Sequence, residues 1–298
     1  MKSKIIIGLI ILCTAFTFKG VYFENIANAT NVLQPTASNT VLYSNSKASI
    51  DASNISEGYV MVKYTQKTNK RIKCIIKKEN GTSYTYNVNN NGEYETFPLT
   101  EGNGKYTITV YENITGTKYS VSYSTTIDVK ISNEFSPFLY PNQYVNFNSN
   151  SNVVSIANEI TKNNTDDLEK LKSIYYYVIN NITYDKQKAE TVESGYLPNP
   201  DEIIMLKKGI CFDYAAVMAS MLRSQNIPCK LVIGYTGNAY HAWINVYIEG
   251  KGWIDQAVYF DGESWKLMDP TFASSGKNSA SIQKYIGDGK NYTAKYAY

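Results

Sequence analysis

The sequence predicts an α+β protein in which an all-β half precedes a half built of helices and then strands. Three observations carry this expectation. Short strand-like runs recur between residues 47 and 132 with turn residues between them. Beyond residue 150 the apolar spacing lengthens to that of a helix and then returns to alternation near residue 229. A stretch rich in Asn, Ser and Pro over 133–150 separates the two patterns. The chain has 298 residues, enough for two ordinary domains.

Residues 1–29 read as a secretory signal. Lys2 and Lys4 make a positive start, Ile5 to Phe18 an apolar run, and Ala27-Asn28-Ala29 a small-residue cleavage site. The run is short for a bilayer span, which needs roughly 20 residues. The expected mature chain therefore begins at Thr30. Removing Lys2, Lys4, Lys19 and Glu24 leaves 26 cationic and 25 acidic side chains, a net charge of +1. That balance gives no bulk attraction for nucleic acid. No second apolar span is found, so no membrane association is expected after signal removal. The predicted location is outside the cell or in its envelope.

Residues 30–46 are polar and read as a linker, and residues 47–132 as an immunoglobulin-like β-sandwich. Tyr59–Tyr64, Arg71–Ile76, Ser83–Tyr86, Lys105–Tyr111 and Tyr119–Tyr123 are the strand-like runs, with Asn80-Gly81 a hairpin signal. This half holds no catalytic constellation and is expected to be dispensable for the chemical step. Residues 133–150 read as a second linker and 151–298 as the catalytic domain. There Leu168, Leu171, Ile174, Tyr175 and Val178 mark a helix, with Asn163 to Asp167 offering its cap. A short helix is predicted over Pro200 to Lys207 and a longer one over 211–225, ending before Pro228. Leu231–Tyr235 and His241–Ile248 read as strands.

The expected mature chain keeps Cys74, Cys211 and Cys229, an odd and sparse set that makes no disulfide framework. Cys74 and Cys229 read as core residues. Cys211 differs, because it opens an apolar helix. The positive end of a helix favours thiolate, and its amides can hold an oxyanion. Gly209 is expected to permit a tight turn before it. The chain has a single histidine, His241, on a strand whose faces are His241, Trp243, Asn245 and Tyr247 against Ala242, Ile244, Val246 and Ile248. A Cys–His pair needs a third group to orient the imidazole. From the residues alone either Asp255 or Asp269 could serve. Asp213 reads as a helix cap. Clustered metal ligands and Gly-rich phosphate loops are missing from the sequence, so no cofactor and no metal are expected.

Gly209-Ile210-Cys211-Phe212-Asp213-Tyr214-Ala215, Asn226-Ile227-Pro228, Gly234-Tyr235, His241-Ala242-Trp243 and Trp265 with Asp269-Pro270-Thr271 together resemble the transglutaminase-like superfamily. The resemblance covers about residues 155–275. It implies a papain-like α+β fold with Cys211 as nucleophile, His241 as base and Asp269 as the residue that orients it. Tyr184 matches a tyrosine that could line the site or donate to an oxyanion, and Trp243 is expected to wall it. The family position that is often arginine after the Ile-Pro pair is Lys230 here. An apparent extra hairpin surrounds Tyr259 to Gly262. The implied function is amide acyl transfer through a thioester on Cys211, with hydrolysis (peptidase or amidase) favoured. The alternatives are a cross-linking transglutaminase and, from a different class, a non-catalytic binding module of the cell envelope. The expected substrate is an extracellular protein or peptide, cell-wall peptide included.

Overall fold

The computed structural model describes residues 32–255 and 292–298, and the backbone of 258–260 and 265–267. The signal segment, with its cleavage site, lies outside these residues, and so does Asp269.

Eight strands make the N-terminal half: β1 (Leu42–Ser44), β2 (Ala48–Asp51), β3 (Tyr59–Tyr64), β4 (Ile72–Lys78), β5 (Ser83–Val88), β6 (Glu95–Pro98), β7 (Gly104–Thr115) and β8 (Lys118–Val129). They form two four-stranded antiparallel sheets, β1-β2-β3-β6 and β5-β4-β7-β8. The chain crosses between sheets after β3, β5 and β6, the Greek-key path of an immunoglobulin-like sandwich. Alternation explains the layering. In β5 Tyr84, Tyr86 and Val88 are buried while Ser83, Thr85 and Asn87 face out. Asn80 takes the left-handed conformation at the β4–β5 turn, as the Asn-Gly pair predicts.

Of the two stretches read as linkers, 30–46 is largely exposed yet contributes a strand, and 133–150 is packed. β1 lies within 30–46, and there Asn39 N donates to Asp51 Oδ2 at 2.6 Å. In 133–150, a short 3-10 turn (Ser136–Phe138) and the buried side chains of Phe138, Val145 and Phe147 make a strap fastened to the core.

The C-terminal half begins with α1 (Asn152–Thr161) and α2 (Asp167–Asn181), the latter capped by Asp166 accepting from Glu169 N. After α2 come β9 (Thr183–Tyr184), α3 (Lys186–Thr191), α4 (Pro200–Leu206), β10 (Lys208–Gly209) and α5 (Cys211–Ser224). β11 (Cys229–Thr236), β12 (Ala239–Ile248) and β13 (Gly252–Ile254) follow, and the chain closes with β16 (Tyr292–Ala297). β14 (Val258–Phe260) and β15 (Trp265–Leu267) pair as the extra hairpin expected there. The main sheet runs β13-β12-β11-β16, all antiparallel. α5 is buried on nearly every side and packs on the face carrying Ala242, Ile244 and Val246. No helix among the described residues is long and apolar enough to cross a membrane.

One hydrophobic core runs through both halves. Tyr84 and Tyr86 of the sandwich meet Tyr298 edge-on, and Tyr144 of the strap packs on both Tyr298 and Phe212. Arg223 fastens the same seam. Its buried guanidinium donates to the carbonyl oxygens of Tyr140, Cys229 and Tyr298. The sandwich is therefore not a detachable spacer. Removing it would strip the covering from Tyr144, Phe212 and Tyr298.

Candidate active site

The start of α5 is built with care. Ile210 is extended and stands just before the helix, and Tyr214 N donating to Ile210 O closes the first turn. The amides of Cys211, Phe212 and Asp213 precede that bond, where a helix has donors to spare. Asp213 is fully buried and accepts from Ile210 N at 2.8 Å, Lys188 Nζ at 2.7 Å and Tyr196 Oη at 2.6 Å. This is the cap expected of Asp213, reinforced by an ion pair. Burial and the Asp213 carboxylate together push the Tyr196 phenol well above its ordinary value. Gly209 serves differently from the turn expected of it. Its φ is not positive, and a Cβ there would lie 2.7 Å from Asp213 Cβ. The glycine makes room for the cap.

β10 pairs in parallel with β9, which sets Tyr184 opposite Gly209 and two residues from Cys211. His241 is opposite Gly234 in the β11–β12 pairing. A side chain at Gly234 would collide with Thr293 O of β16 and with the Trp243 ring, which is why the motif has glycine there. His241 is 7% exposed. Its ring lies nearly parallel to Trp243 with centroids 6.5 Å apart, and Tyr292 of β16 stands 6.3 Å away.

Cys211, His241 and Tyr184 line one cavity of about 620 Å³. Its walls also draw on distant parts of the chain: Thr85 and Asn87 of the sandwich, Gln143 and Tyr144 of the strap, the 192–197 loop, and Tyr296 with Tyr298 at the end. Trp243 does not line it. That residue is buried one layer back in a small cluster with Val232 and Tyr292, where it supports the imidazole. The wall expected of Trp243 is made instead by Tyr240, Tyr296 and Tyr298.

Among the described residues, Cys74, Cys211 and Cys229 are free thiols. Burial pushes the Cys229 thiol up to about 12 and the Cys74 thiol higher still. Cys211 alone of the three is partly exposed. Asp255 is engaged elsewhere: Asn245 Nδ2 donates to its Oδ1 at 2.6 Å. Asn245 lies four residues along β12 from His241, roughly 13 Å at strand rise. Lys230 lies over the Trp253 ring at 3.8 Å and near Phe138 at 4.9 Å, an aromatic seat that accounts for a cation at this position. Burial lowers its pKa. No cluster of three or more His, Cys, Asp or Glu side chains suited to a metal occurs among the described residues.

Residues that sequence reasoning missed include Lys188 and Tyr196, which hold Asp213, and the sandwich and strap residues of the wall. No local pattern marks them, because each reaches the site from a distant segment.

Residues 154–270 match the model of the transglutaminase-like superfamily. Kyphoscoliosis peptidase of Mus musculus is 26% identical over 136 residues, 42% of this chain and 18% of the relative. The UPF0252 protein MJ1282 of Methanocaldococcus jannaschii is 31% identical over 122 residues, covering 31% of this chain and 35% of the relative. The chain thus spans about a third or less of the length of these relatives. A crystal structure from Cytophaga hutchinsonii, provisionally assigned as a cysteine protease, is 14% identical with a TM-score of 0.40. That alignment covers 80% of this chain and 83% of the other.

Proposed function

We propose that this chain, whose residues 154–270 belong to the transglutaminase-like superfamily, is a secreted cysteine enzyme that cleaves amides through a thioester. The observation that carries the reading is the shared cavity. It holds the one partly exposed thiol at a helix start and the chain's single imidazole. In the reaction the Cys211 thiolate attacks the amide carbonyl and the first amides of α5 receive the oxyanion. The imidazolium of His241 protonates the departing amine. The same ring then takes a proton from water as that water attacks the thioester, releasing the acid and the thiol. Asp269 is assigned as the orienter of His241, on the family pattern and on Asp255 being bound to Asn245. The first 29 residues are assigned as a cleaved export signal, with work outside the cell.

The test offers the purified full chain a glutamine-containing donor protein with excess fluorescent primary amine, and separately follows amide cleavage. Cleavage without amine incorporation is expected. It should be lost by at least about 10³-fold in Cys211→Ala and His241→Gln, and by about 10²–10⁴-fold in Asp269→Asn. Asp255→Asn should keep it. Stable amine incorporation that depends on Cys211, with no cleavage, would instead make the enzyme a cross-linking transglutaminase.

A further inference from the structure

The sandwich presents an open strand edge to the catalytic cavity. β5 ends its sheet, with β4 on one side only. The phase of the ladder can be read. Asn113 N donates to Arg71 O, so the odd-numbered residues of β4 direct their backbone groups to β7 and the even ones to β5. Through the pairs Cys74↔Tyr86 and Ile76↔Tyr84, the even residues of β5 bond inward and the odd ones face out. Gln143 Nε2 donating to Asn87 O at 2.6 Å agrees with this. The outward groups are then those of Ser83, Thr85 and Asn87, of which Thr85 and Asn87 line the cavity with Cys211 and Asn87 O is already taken by Gln143.

Two more polar atoms beside this edge are buried without a partner among the described residues. Gln143 uses its Nε2 on Asn87 O and Glu95 Oε1, while its buried Oε1 has no partner among the described residues. The buried Nδ2 of Asn142 is likewise unpartnered. Asn142 and Gln143 line a second hollow that meets the catalytic cavity at Gln143 and Leu197. Buried polar groups without partners cost stability unless something completes them. Backbone groups in strand spacing along a sheet edge that lines the same cavity as the thiol match a polypeptide main chain.

We propose that the substrate is an extended polypeptide segment that adds as a strand to the edge of β5 at Thr85 and Asn87, continues past Gln143 and Asn142, and so delivers its scissile amide to Cys211. The sandwich then serves as half of the substrate groove. Strand addition takes affinity from the main chain and specificity from alternate side chains. The proposal rests on the reading of Cys211 as nucleophile, and its test separates the two.

The probes are iodoacetamide, acetyl-Ala-chloromethyl ketone and acetyl-Ala-Ala-Ala-Ala-chloromethyl ketone, each alkylating Cys211 of the full chain by displacement of halide. Second-order rates and the modified cysteine are read by mass spectrometry. The longer ketone should react at least about tenfold faster than the short one, the worth of one or two added backbone hydrogen bonds. Thr85→Pro removes an N–H that no β4 residue uses, a place where an edge strand tolerates proline. Read as the ratio of the long-ketone to the short-ketone rate within the same variant, the length advantage should fall to below about threefold. Methylating alternate nitrogens of the long ketone should do the same to the unmutated protein, which decides the matter even if Thr85→Pro does not fold. Equal rates for both ketones would overturn the proposal and leave the edge to another occupant, such as a second copy of the chain. A length advantage that survives both proline and N-methylation would overturn it too. Failure of iodoacetamide to modify Cys211 at all would remove the nucleophile reading beneath it.

Discussion

Each half of the molecule holds one buried carboxylate gripped by lysine and tyrosine, and the two grips do different work. In the sandwich Glu112 of β7 takes Lys47 at 2.9 Å together with Lys70 and the Tyr64 hydroxyl, tying β7 to β3 and to the segments leading into β2 and β4. In the catalytic half Asp213 takes Lys188, the Tyr196 hydroxyl and the Ile210 amide, fixing the turn that presents Cys211. The same chemistry fastens strands in one place and the turn before a cavity-lining thiol in the other. Two free cysteines, one in each half, teach the same lesson. Cys74 sits mid-strand with burial holding its proton on, whereas Cys211 opens a helix at the mouth of a cavity. Position in the fold separates structural residues from chemical ones of the same type.

The largest effect is expected at the seam between the halves. Arg223→Ala would leave the carbonyls of Tyr140 and Cys229 without their side-chain donor and Tyr298 O with Leu231 N alone. Each orphaned buried acceptor costs on the order of 1–3 kcal/mol, and the seam should lose about 3–5 kcal/mol in all. Denaturant unfolding followed by tryptophan fluorescence measures it; all three tryptophans, Trp243, Trp253 and Trp265, lie in the catalytic half. A second probe should be the backbone signal of the sandwich. If the two halves share one core as described, both signals should shift together. A chain starting near Asn150 should for the same reason fail to stay folded, rather than act as an independent enzyme.

Asp213→Asn comes next, with an expected loss of about 2 kcal/mol as Lys188 and Tyr196 lose their charged acceptor. The variant tests whether the grip is tied to chemistry. Iodoacetamide modification of Cys211 should slow several-fold at neutral pH, because the helix start is no longer held. The equivalent change in the sandwich, Glu112→Gln, should leave that rate untouched. Equal slowing in both variants would mean that the two grips act only through global stability.

The parts that were legible in the sequence are those encoded locally. α2 and α5 followed from apolar spacing and α4 from Pro200 with Asp201 and Glu202 in its first turn; Asp166 and Asn199 cap α2 and α4, and Pro228 follows α5. Alternation gave β7 and β12, and the helix-start cysteine with the lone histidine gave two residues that line one cavity. β16 was not legible, since its apolar partner face is supplied by β11 more than fifty residues earlier. β1 and β6 are three and four residues long, too short for a period to register. The outward phase of Thr85 and Asn87 depends on which neighbour β4 bonds with which edge, and no stretch of β5 alone records that.

The smallest expected effect carries a sign that can be worked out. The Lys70, Tyr64 and Lys47 contacts hold the Glu112 carboxyl down at about 2, below an unfolded value of about 4.3. A depressed carboxylate contributes its full stability above the unfolded value and loses it as pH falls through the folded one. The contribution should therefore be whole above about pH 5 and fade between about pH 5 and 2. Lys47 and Lys70 are each roughly half exposed, so water screens the pair and about 1–2 kcal/mol is expected. The check is the difference in denaturant midpoint between the unmutated chain and Glu112→Gln from pH 7 to pH 2.5, which cancels the other carboxylates. That difference should shrink steadily as the acid side is approached. A gap that stays constant across the range would mean that Glu112 acts through its shape and neutral hydrogen bonds, and the likeness between the two grips would end at geometry.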